Sequence, residues 1–136
     1  MLRRSVHLPD LPWLHPVSTP FIAIVDDHDV LCSSLVDLMR SIGYRAEPFG
    51  SAEAFLASSS LFLFDCIVAD VHLPGMSGLD LVRTLREHGT TTPAILITAL
   101  IEKRLDDAAI SVGAVCLLRK PLDIKVLVEL IERNLQ

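Results

Sequence analysis

The sequence has few aromatic residues and no long apolar run. Aromatic side chains make up 5% of the 136 residues, although hydrophobic residues make up 51%. The core must therefore consist mainly of Leu, Ile, Val and Ala, which suits parallel strands that helices cover on both faces. No apolar run approaches the roughly 20 residues that a membrane-spanning helix needs, and the start lacks the pattern of a signal peptide. We therefore expect a cytoplasmic protein without membrane contact.

Cysteine and positive charge are also scarce. The three cysteines, Cys32, Cys66 and Cys116, form no Cys-x-x-Cys pair. They predict buried free thiols in a reducing compartment, because neither a disulfide framework nor a metal site has this spacing. The formal net charge of -5 disfavours broad binding to nucleic acid, which needs a basic surface. No helix-turn-helix or basic segment follows the last predicted helix, so we expect no nucleic-acid binding through this chain.

Proline is concentrated at the start of the chain. Half of the eight prolines lie in the first 20 residues, namely Pro9, Pro12, Pro16 and Pro20. Proline at this density opposes both helix and sheet. We therefore predict a flexible leader over residues 1–20 and one domain over residues 21–136. Docking of Trp13 on the domain or on a partner is the alternative for the leader.

From Phe21 onward, apolar runs alternate with amphipathic stretches. Apolar runs predict four strands, at residues 21–25, 63–70, 93–98 and 114–118. Residues 44–49 predict a further, more exposed strand, in which Pro48 suits an edge position. Apolar residues at three- and four-residue spacing and capping residues predict five helices, at residues 31–42, 52–57, 77–87, 102–112 and 122–135. This alternation is typical of a parallel sheet with helices on both faces. Right-handed crossovers make a flavodoxin-like, doubly wound (βα)5 fold with strand order 2-1-3-4-5 the leading candidate.

Polar residues follow the predicted strands where each strand ends. Asp26 and Asp27 come after the first strand, Asp70 ends the third, Thr98 ends the fourth and Lys120 follows the fifth. Ligands of an open parallel sheet bind beyond the carboxyl ends of its strands. We therefore expect these side chains to converge on one small patch.

The residue types in this patch predict phosphoryl chemistry. Three carboxylates in one place repel each other and need a cation. Oxygen ligands with room for water favour Mg²⁺, with Mn²⁺ as a possible substitute. A carboxylate such as that of Asp70 is also a nucleophile toward phosphorus. Phosphoryl transfer needs charge neutralisation on the equatorial oxygens, for which the Lys120 ammonium and the Thr98 hydroxyl are suited.

Four segments, IVDDHD, DVHLPGMSG, LITA and RKP, occur in this order. Together they resemble the receiver domain of two-component response regulators, in the CheY-like superfamily, and are most similar in character to receivers of nitrogen-fixation and nodulation regulators. The similarity runs from about Phe21 to the end of the chain. It implies that Asp70 is the phosphoacceptor and that Asp26 and Asp27 bind Mg²⁺ together with it. The backbone carbonyl of His72 would be a further ligand.

The resemblance also assigns roles around the phosphoryl group. Thr98 would be the switch hydroxyl, and the small Ala99 would leave the entry path open. Lys120 would pair with the phosphoryl group, and the peptide bond between Lys120 and Pro121 is expected to be cis. A sensor histidine kinase or phosphotransfer protein would be the donor. Output would go to a protein partner or a second copy through helix 4, strand 5 and helix 5, without turnover of an external substrate.

Two positions depart from the family pattern or modify it. Leu117 stands where receivers usually carry an aromatic residue that responds to the switch threonine, so we expect the readout to use the fourth helix or the leader instead. Leu100, two residues after the threonine, is bulky and apolar. We expect it to hinder the attacking water and to lengthen the lifetime of the phosphoryl group.

Other interpretations stay open at this point. Asp26 and Asp27 could form a turn or cap the next helix, and the threonine and lysine could be ordinary polar residues. His28 and His72 beside the acidic residues raise a zinc interpretation. At the level of function, the alternatives are a phosphorylation-independent binding module and a Mg²⁺-dependent phosphatase with Asp70 as nucleophile. The phosphatase would usually need an acid where His72 stands.

Overall fold

The computed structural model describes residues 19–135. The predicted leader thus lies outside the described residues, except for Thr19 and Pro20. The strands are β1 (Phe21–Val25), β2 (Arg45–Phe49), β3 (Cys66–Asp70), β4 (Ala94–Thr98) and β5 (Cys116–Arg119). The helices are α1 (Asp29–Ser41), α2 (Ala52–Leu56), α3 (Gly78–Glu87), α4 (Arg104–Ser111) and α5 (Ile124–Asn134), with a 3-10 turn at Leu61–Leu63.

The five strands form one parallel sheet in the order β2-β1-β3-β4-β5. This confirms the predicted flavodoxin-like, doubly wound fold. Val25 pairs with Ala69, and Thr98 at the end of β4 pairs with Arg119 at the end of β5. The carboxyl ends of β1, β3, β4 and β5 are therefore aligned along one edge of the sheet. The strand order reverses beside β1, which is where ligands bind in folds of this class.

Successive strand residues contribute to two apolar clusters, one on each face of the sheet. Ile22 and Ile24 of β1 pack with residues of α1 and α5, such as Leu35 and Leu127. Ala23 and Val25 belong to the opposite cluster with residues of the other helices, such as Phe55, Leu81 and Leu105. Each fully buried aliphatic side chain of this size contributes about 1.5–3 kcal/mol through its removal from water. The aliphatic core predicted from the composition is confirmed.

Several details of the predicted elements need correction. Strand β5 begins at Cys116 instead of residue 114, and helix α5 begins at Ile124 instead of residue 122. Residues 63–65 precede β3, and Leu63 belongs to the 3-10 turn, where its N–H donates to the carbonyl of Ser60 at 2.8 Å. Helix α4 begins at Arg104 instead of residue 102. Helix α1 is capped by His28, whose Nδ1 accepts from the Leu31 N–H at 3.2 Å. The alternative role of Asp26 and Asp27 as the helix cap is therefore wrong.

Other features bear on the predictions from composition. All three cysteines are free thiols; Cys32 and Cys66 are buried, as predicted, whereas Cys116 is partly exposed. Within residues 19–135, no helix combines the length and apolar character needed to cross a membrane.

Candidate functional site

The carboxyl edge of the sheet carries a small group of buried polar residues. Asp26 follows β1, Asp70 ends β3 and Thr98 ends β4, and their exposed fractions are 1%, 5% and 0%. Among residues 19–135, these three are the only polar or charged residues that are buried. Burying a charge is costly unless it is paired and hydrogen-bonded. The partners of these side chains therefore define the site.

Lys120 supplies the cation of this group. Its Nζ lies 2.6 Å from Oδ2 of Asp70 and 3.5 Å from Oδ2 of Asp26. Partial burial of the ammonium works to lower the pKa of Lys120, but the hydrogen bond and charge of Asp70, together with the charge of Asp26, raise the pKa overall. One ammonium thus offsets the repulsion between two carboxylates.

The second oxygen of each carboxylate accepts a backbone hydrogen bond. Oδ1 of Asp26 accepts from the N–H of His28 at 2.8 Å, and Oδ1 of Asp70 accepts from the N–H of His72 at 2.9 Å. Both bonds join an aspartate to the residue two positions later, which is the geometry of an Asx-turn. The turns orient the carboxylates toward Lys120. The contact shown for His72 is its N–H, and the ligand role of its carbonyl stays a prediction.

The structure brings together only part of the predicted metal site. The Asp27 side chain is exposed, and in residues 19–135 no three His, Cys, Asp or Glu side chains are grouped closely enough to hold a metal ion. The zinc interpretation therefore gains no support from the described residues. Asp26 and Asp70 nevertheless both lie close to the Lys120 ammonium. Mg²⁺ is commonly bound through one or two carboxylates and keeps several waters, so this donor set fits Mg²⁺.

Thr98 and the residues after it follow β4 at the same edge of the sheet. Oγ1 of Thr98 accepts from the N–H of Leu100 at 3.1 Å, a bond that leaves the hydroxyl proton available. Ala99 and Leu100 are both exposed. The peptide bond between Lys120 and Pro121 is cis, the isomer that the resemblance implies.

The loop that follows Asp70 is held by two features that sequence reasoning missed. Glu53 of α2 accepts from the N–H of Met76 at 2.8 Å, and this backbone hydrogen bond lowers the pKa of Glu53. Gly78 begins α3 so close to β3 that a Cβ would collide with the Asp70 carbonyl oxygen. The glycine in the motif DVHLPGMSG was the available signal for this close approach, whereas Glu53 left none.

Arg119, beside Lys120, makes a third set of contacts that the sequence did not reveal. Its Nε donates to the Leu100 carbonyl at 3.1 Å, and one terminal nitrogen donates to the Glu102 carbonyl at 2.9 Å. Its two terminal nitrogens also lie 2.8 and 3.0 Å from the two oxygens of Asp106. The paired hydrogen bonds raise the pKa of Arg119 and lower the pKa of Asp106.

Leu117, at the position of the expected aromatic residue, is partly buried. It packs against the apolar cluster that contains Leu105 and Ala109 of α4. Position 117 therefore adds an apolar side chain to this part of the core, and the leucine has no polar atom with which to follow the movement of a hydroxyl group.

The chain matches a known protein family over most of its length. Residues 22–132 match the family described as the response regulator receiver domain. Response regulator protein TmoT of Ectopseudomonas mendocina is 40% identical over 100 residues, which are 74% of this chain and 46% of TmoT. Transcriptional regulatory protein FixJ of Azorhizobium caulinodans is 33% identical over 120 residues, 88% of this chain and 56% of FixJ. The chain thus spans about half the length of these curated relatives.

Solved structures agree with this match. A putative response regulator from Chloroflexus aurantiacus superposes with a TM-score of 0.80 at 30% identity, covering 87% of this chain and 98% of that one. The BeF3-activated receiver domain of DrrB superposes with a TM-score of 0.76 at 28% identity, covering 86% of this chain and 97% of that domain. DrrB is a protein of Thermotoga maritima.

Proposed function

Because the chain belongs to the response regulator receiver family, we propose that it is a phosphoryl-accepting switch in which Asp70 is the acceptor. The observation that carries this proposal is the 2.6 Å pair of Asp70 and Lys120 at the carboxyl edge of the sheet, with Asp26 beside it. A carboxylate held next to an ammonium, at a place where ligands can enter, is suited to nucleophilic attack on phosphorus. Family membership and site geometry therefore support the same function.

The proposed reaction forms one bond and breaks another. A carboxylate oxygen of Asp70 bonds to phosphorus while the bond between phosphorus and the donor's imidazole nitrogen breaks. The nitrogen then takes up a proton. The Lys120 ammonium and the Thr98 hydroxyl each donate to an oxygen of the phosphoryl group, which carries a charge of about -1.5 to -2. Such groups stabilise the transferred charge by donating hydrogen bonds to it.

We assign Mg²⁺ binding to Asp26 and Asp70, with Asp27 and the carbonyl of His72 as further oxygen donors and Mn²⁺ as a possible substitute. When bound, the ion supplies positive charge to the phosphoryl oxygens. Lys120 then no longer has to serve as the sole counter-charge of the two buried carboxylates. It becomes available to the phosphoryl group.

The proposed donor is a sensor histidine kinase or a phosphotransfer protein. A groove of about 400 Å³ opens beside Lys120 and could receive such a donor; its lining residues are His28, Leu31, Lys120, Pro121, Leu122 and Ile124. We propose that output goes to a protein partner or a second copy of the chain, through α4, β5 and α5. The exposed Ile101 and Ile110 give that face apolar contacts. The free cysteines fit a reducing cytoplasm as the site of the exchange.

Intact-mass spectrometry tests the acceptor role. The chain is treated with acetyl phosphate and Mg²⁺, and Asp70→Asn is compared with Asp107→Asn, which removes the same charge from an exposed position on α4. We expect one added phosphoryl group in wild type and in Asp107→Asn. Asp70→Asn, or removal of the metal with a chelator, should prevent it.

Two outcomes would count against the proposal. No adduct in wild type, with Mg²⁺ binding shown independently, would favour a binding module that works without phosphorylation. Continuous release of phosphate from an aryl phosphate would instead indicate a phosphatase. We expect no such turnover, because His72 stands where a phosphatase would usually have its second acid.

A further inference from the structure

Arg119 ties the end of β5 to the loop between β4 and α4. This loop, residues 99–103, carries the backbone of Leu100 and Glu102, and both of their carbonyls accept from the guanidinium. The same guanidinium binds the two oxygens of Asp106 in the first turn of α4. We call this set of contacts the Arg119 clamp. It connects three elements through one side chain.

The clamp starts next to both proposed switch residues. Arg119 is the ladder partner of Thr98 across β4 and β5. It also directly precedes Lys120, whose N–H donates to the Thr98 carbonyl at 2.8 Å. Alternate strand residues face the same side of a sheet, so Arg119 projects toward the same side as Leu117. Leu117 packs against the apolar cluster that contains Leu105 and Ala109 of α4.

Leu100 is held from both sides. Its N–H donates to Oγ1 of Thr98 at 3.1 Å, and its carbonyl accepts from Nε of Arg119 at 3.1 Å. If Thr98 turns toward a phosphoryl group, Leu100 loses the first bond, and the peptide that Arg119 holds must adjust. A movement of the Thr98 hydroxyl is therefore transmitted to the clamp through one residue of the loop, Leu100.

We propose that Arg119 is a positioning residue that carries the state of Thr98 and Lys120 to helix α4. This inference rests on the proposed function, because it concerns how phosphorylation of Asp70 is read out. Receivers usually have an aromatic residue at the position of Leu117, and it responds to the switch threonine. Here the Arg119 clamp takes over that response. A planar guanidinium is required, since a lysine ammonium keeps the charge but cannot bind a carboxylate through two nitrogens while reaching two carbonyls.

The test compares the response of α4 with the response of the site. Amide chemical shifts are recorded with Mg²⁺, before and after addition of beryllofluoride as a phosphoryl mimic. The shift changes of residues 106–110 are divided by those of residues 71–72, next to the acceptor. Arg119→Lys and Asp106→Asn are compared with Arg104→Gln, which removes an exposed pair with Glu102 of the same loop but leaves the clamp intact.

We expect the α4 response, relative to the site response, to fall about twofold or more in Arg119→Lys and Asp106→Asn. Arg104→Gln should respond as wild type does. If Arg119 had a purely structural role, its replacement would lower the stability of the protein without changing this ratio. Urea unfolding of each variant measures the stability separately. An unchanged ratio in Arg119→Lys would overturn the proposal.

A second measurement separates failure of this inference from failure of the proposed function. Amide hydrogen exchange of the loop is followed in the unmodified protein. Faster exchange of residues 99–106 in Arg119→Lys, but not in Arg104→Gln, supports the clamp even if wild type accepts no phosphoryl group or mimic. Equal exchange in both variants contradicts the clamp, whatever happens at Asp70.

Discussion

At the residue scale, Leu100 combines two roles that can be separated by truncating its side chain. Its backbone is hydrogen-bonded to Thr98 and Arg119, whereas the residue as a whole is 39% exposed. Replacement by alanine keeps both backbone bonds and removes only apolar bulk. The variant therefore reports on the access of water to the phosphoryl group.

We predict that Leu100→Ala shortens the lifetime of the aspartyl-phosphate. Loss of the apolar side chain admits water more easily, and we expect decay to become about two- to tenfold faster, up to about 1.4 kcal/mol in the barrier. The decay of the acetyl phosphate adduct is followed by intact mass. Ile101→Ala is the control, because Ile101 is 85% exposed and lies in the same loop. Equal or slower decay in Leu100→Ala would contradict this role.

Cys66 is the residue with the clearest pH prediction. Burial raises the pKa of its thiol to about 12, whereas an unfolded thiol ionises near pH 8.5. Between these two values the unfolded chain releases a proton that the folded chain retains, so the free energy of unfolding falls as pH rises. The slope from this one group approaches about 1.4 kcal/mol per pH unit.

Urea unfolding at about pH 8 and about pH 10 tests this prediction. We expect wild type to lose more stability between the two values than Cys66→Ala, which lacks the thiol. Other titrating groups cancel in the comparison of the two proteins. Parallel loss in both would show that Cys66 ionises as readily in the folded protein as in the unfolded chain.

At the element scale, the junction between β3 and α3 determines the position of Asp70. The N–H of Gly78 donates to the Val71 carbonyl at 2.9 Å, and Ser77 caps α3 by accepting from the Asp80 N–H. A side chain at position 78 would push the helix away from the Asp70 carbonyl. The position of Asp70, the proposed phosphoacceptor, therefore depends on the position of the start of α3.

We predict that Gly78→Ala destabilises the fold and disturbs Asp70. Forcing one methyl group into a packed contact costs about 1–3 kcal/mol, measured as the change in the free energy of unfolding in urea. Gly50→Ala is the matched control, because a Cβ there meets no atom within 4 Å. If Gly78→Ala were as stable as the control, the contact with the Asp70 carbonyl could relax without cost.

The same elements show what could be predicted from the sequence. Buried parallel strands are continuous apolar runs, which predicted β1, β3, β4 and β5, whereas β2 was predicted as a more exposed edge strand; the polar residues at the strand ends indicated Asp26, Asp70, Thr98 and Lys120. The predicted start of β3 was too early because the apolar residues Leu63 and Phe64 lie just before the strand. The contacts of Arg119 and Glu53 could not be predicted, since long side chains that bridge distant segments leave no periodic pattern.

At the scale of the whole molecule, the strand order and the charge of the site act together. Reversal of the strand order beside β1 places Asp26 and Asp70 at the carboxyl ends of the adjacent strands β1 and β3. Both carboxylates are then nearly buried with one shared ammonium, within a chain of net charge -5. Folding therefore concentrates negative charge at one edge of the sheet. A cation that binds there should stabilise the folded state relative to the unfolded chain.

We predict that Mg²⁺ raises the free energy of unfolding through these two carboxylates. A ligand that binds only the folded state adds about 1.4 kcal/mol when its concentration is about ten times its Kd. Urea unfolding is measured in MgCl₂ and in NaCl of equal ionic strength, so that general screening cancels. Asp26→Asn should lose the gain, because its amide retains the shape but not the charge, whereas Asp107→Asn on exposed α4 should keep it. Equal gains in both variants would locate the cation away from the carboxyl edge, and no gain in wild type would exclude a folded-state Mg²⁺ site at the concentrations used.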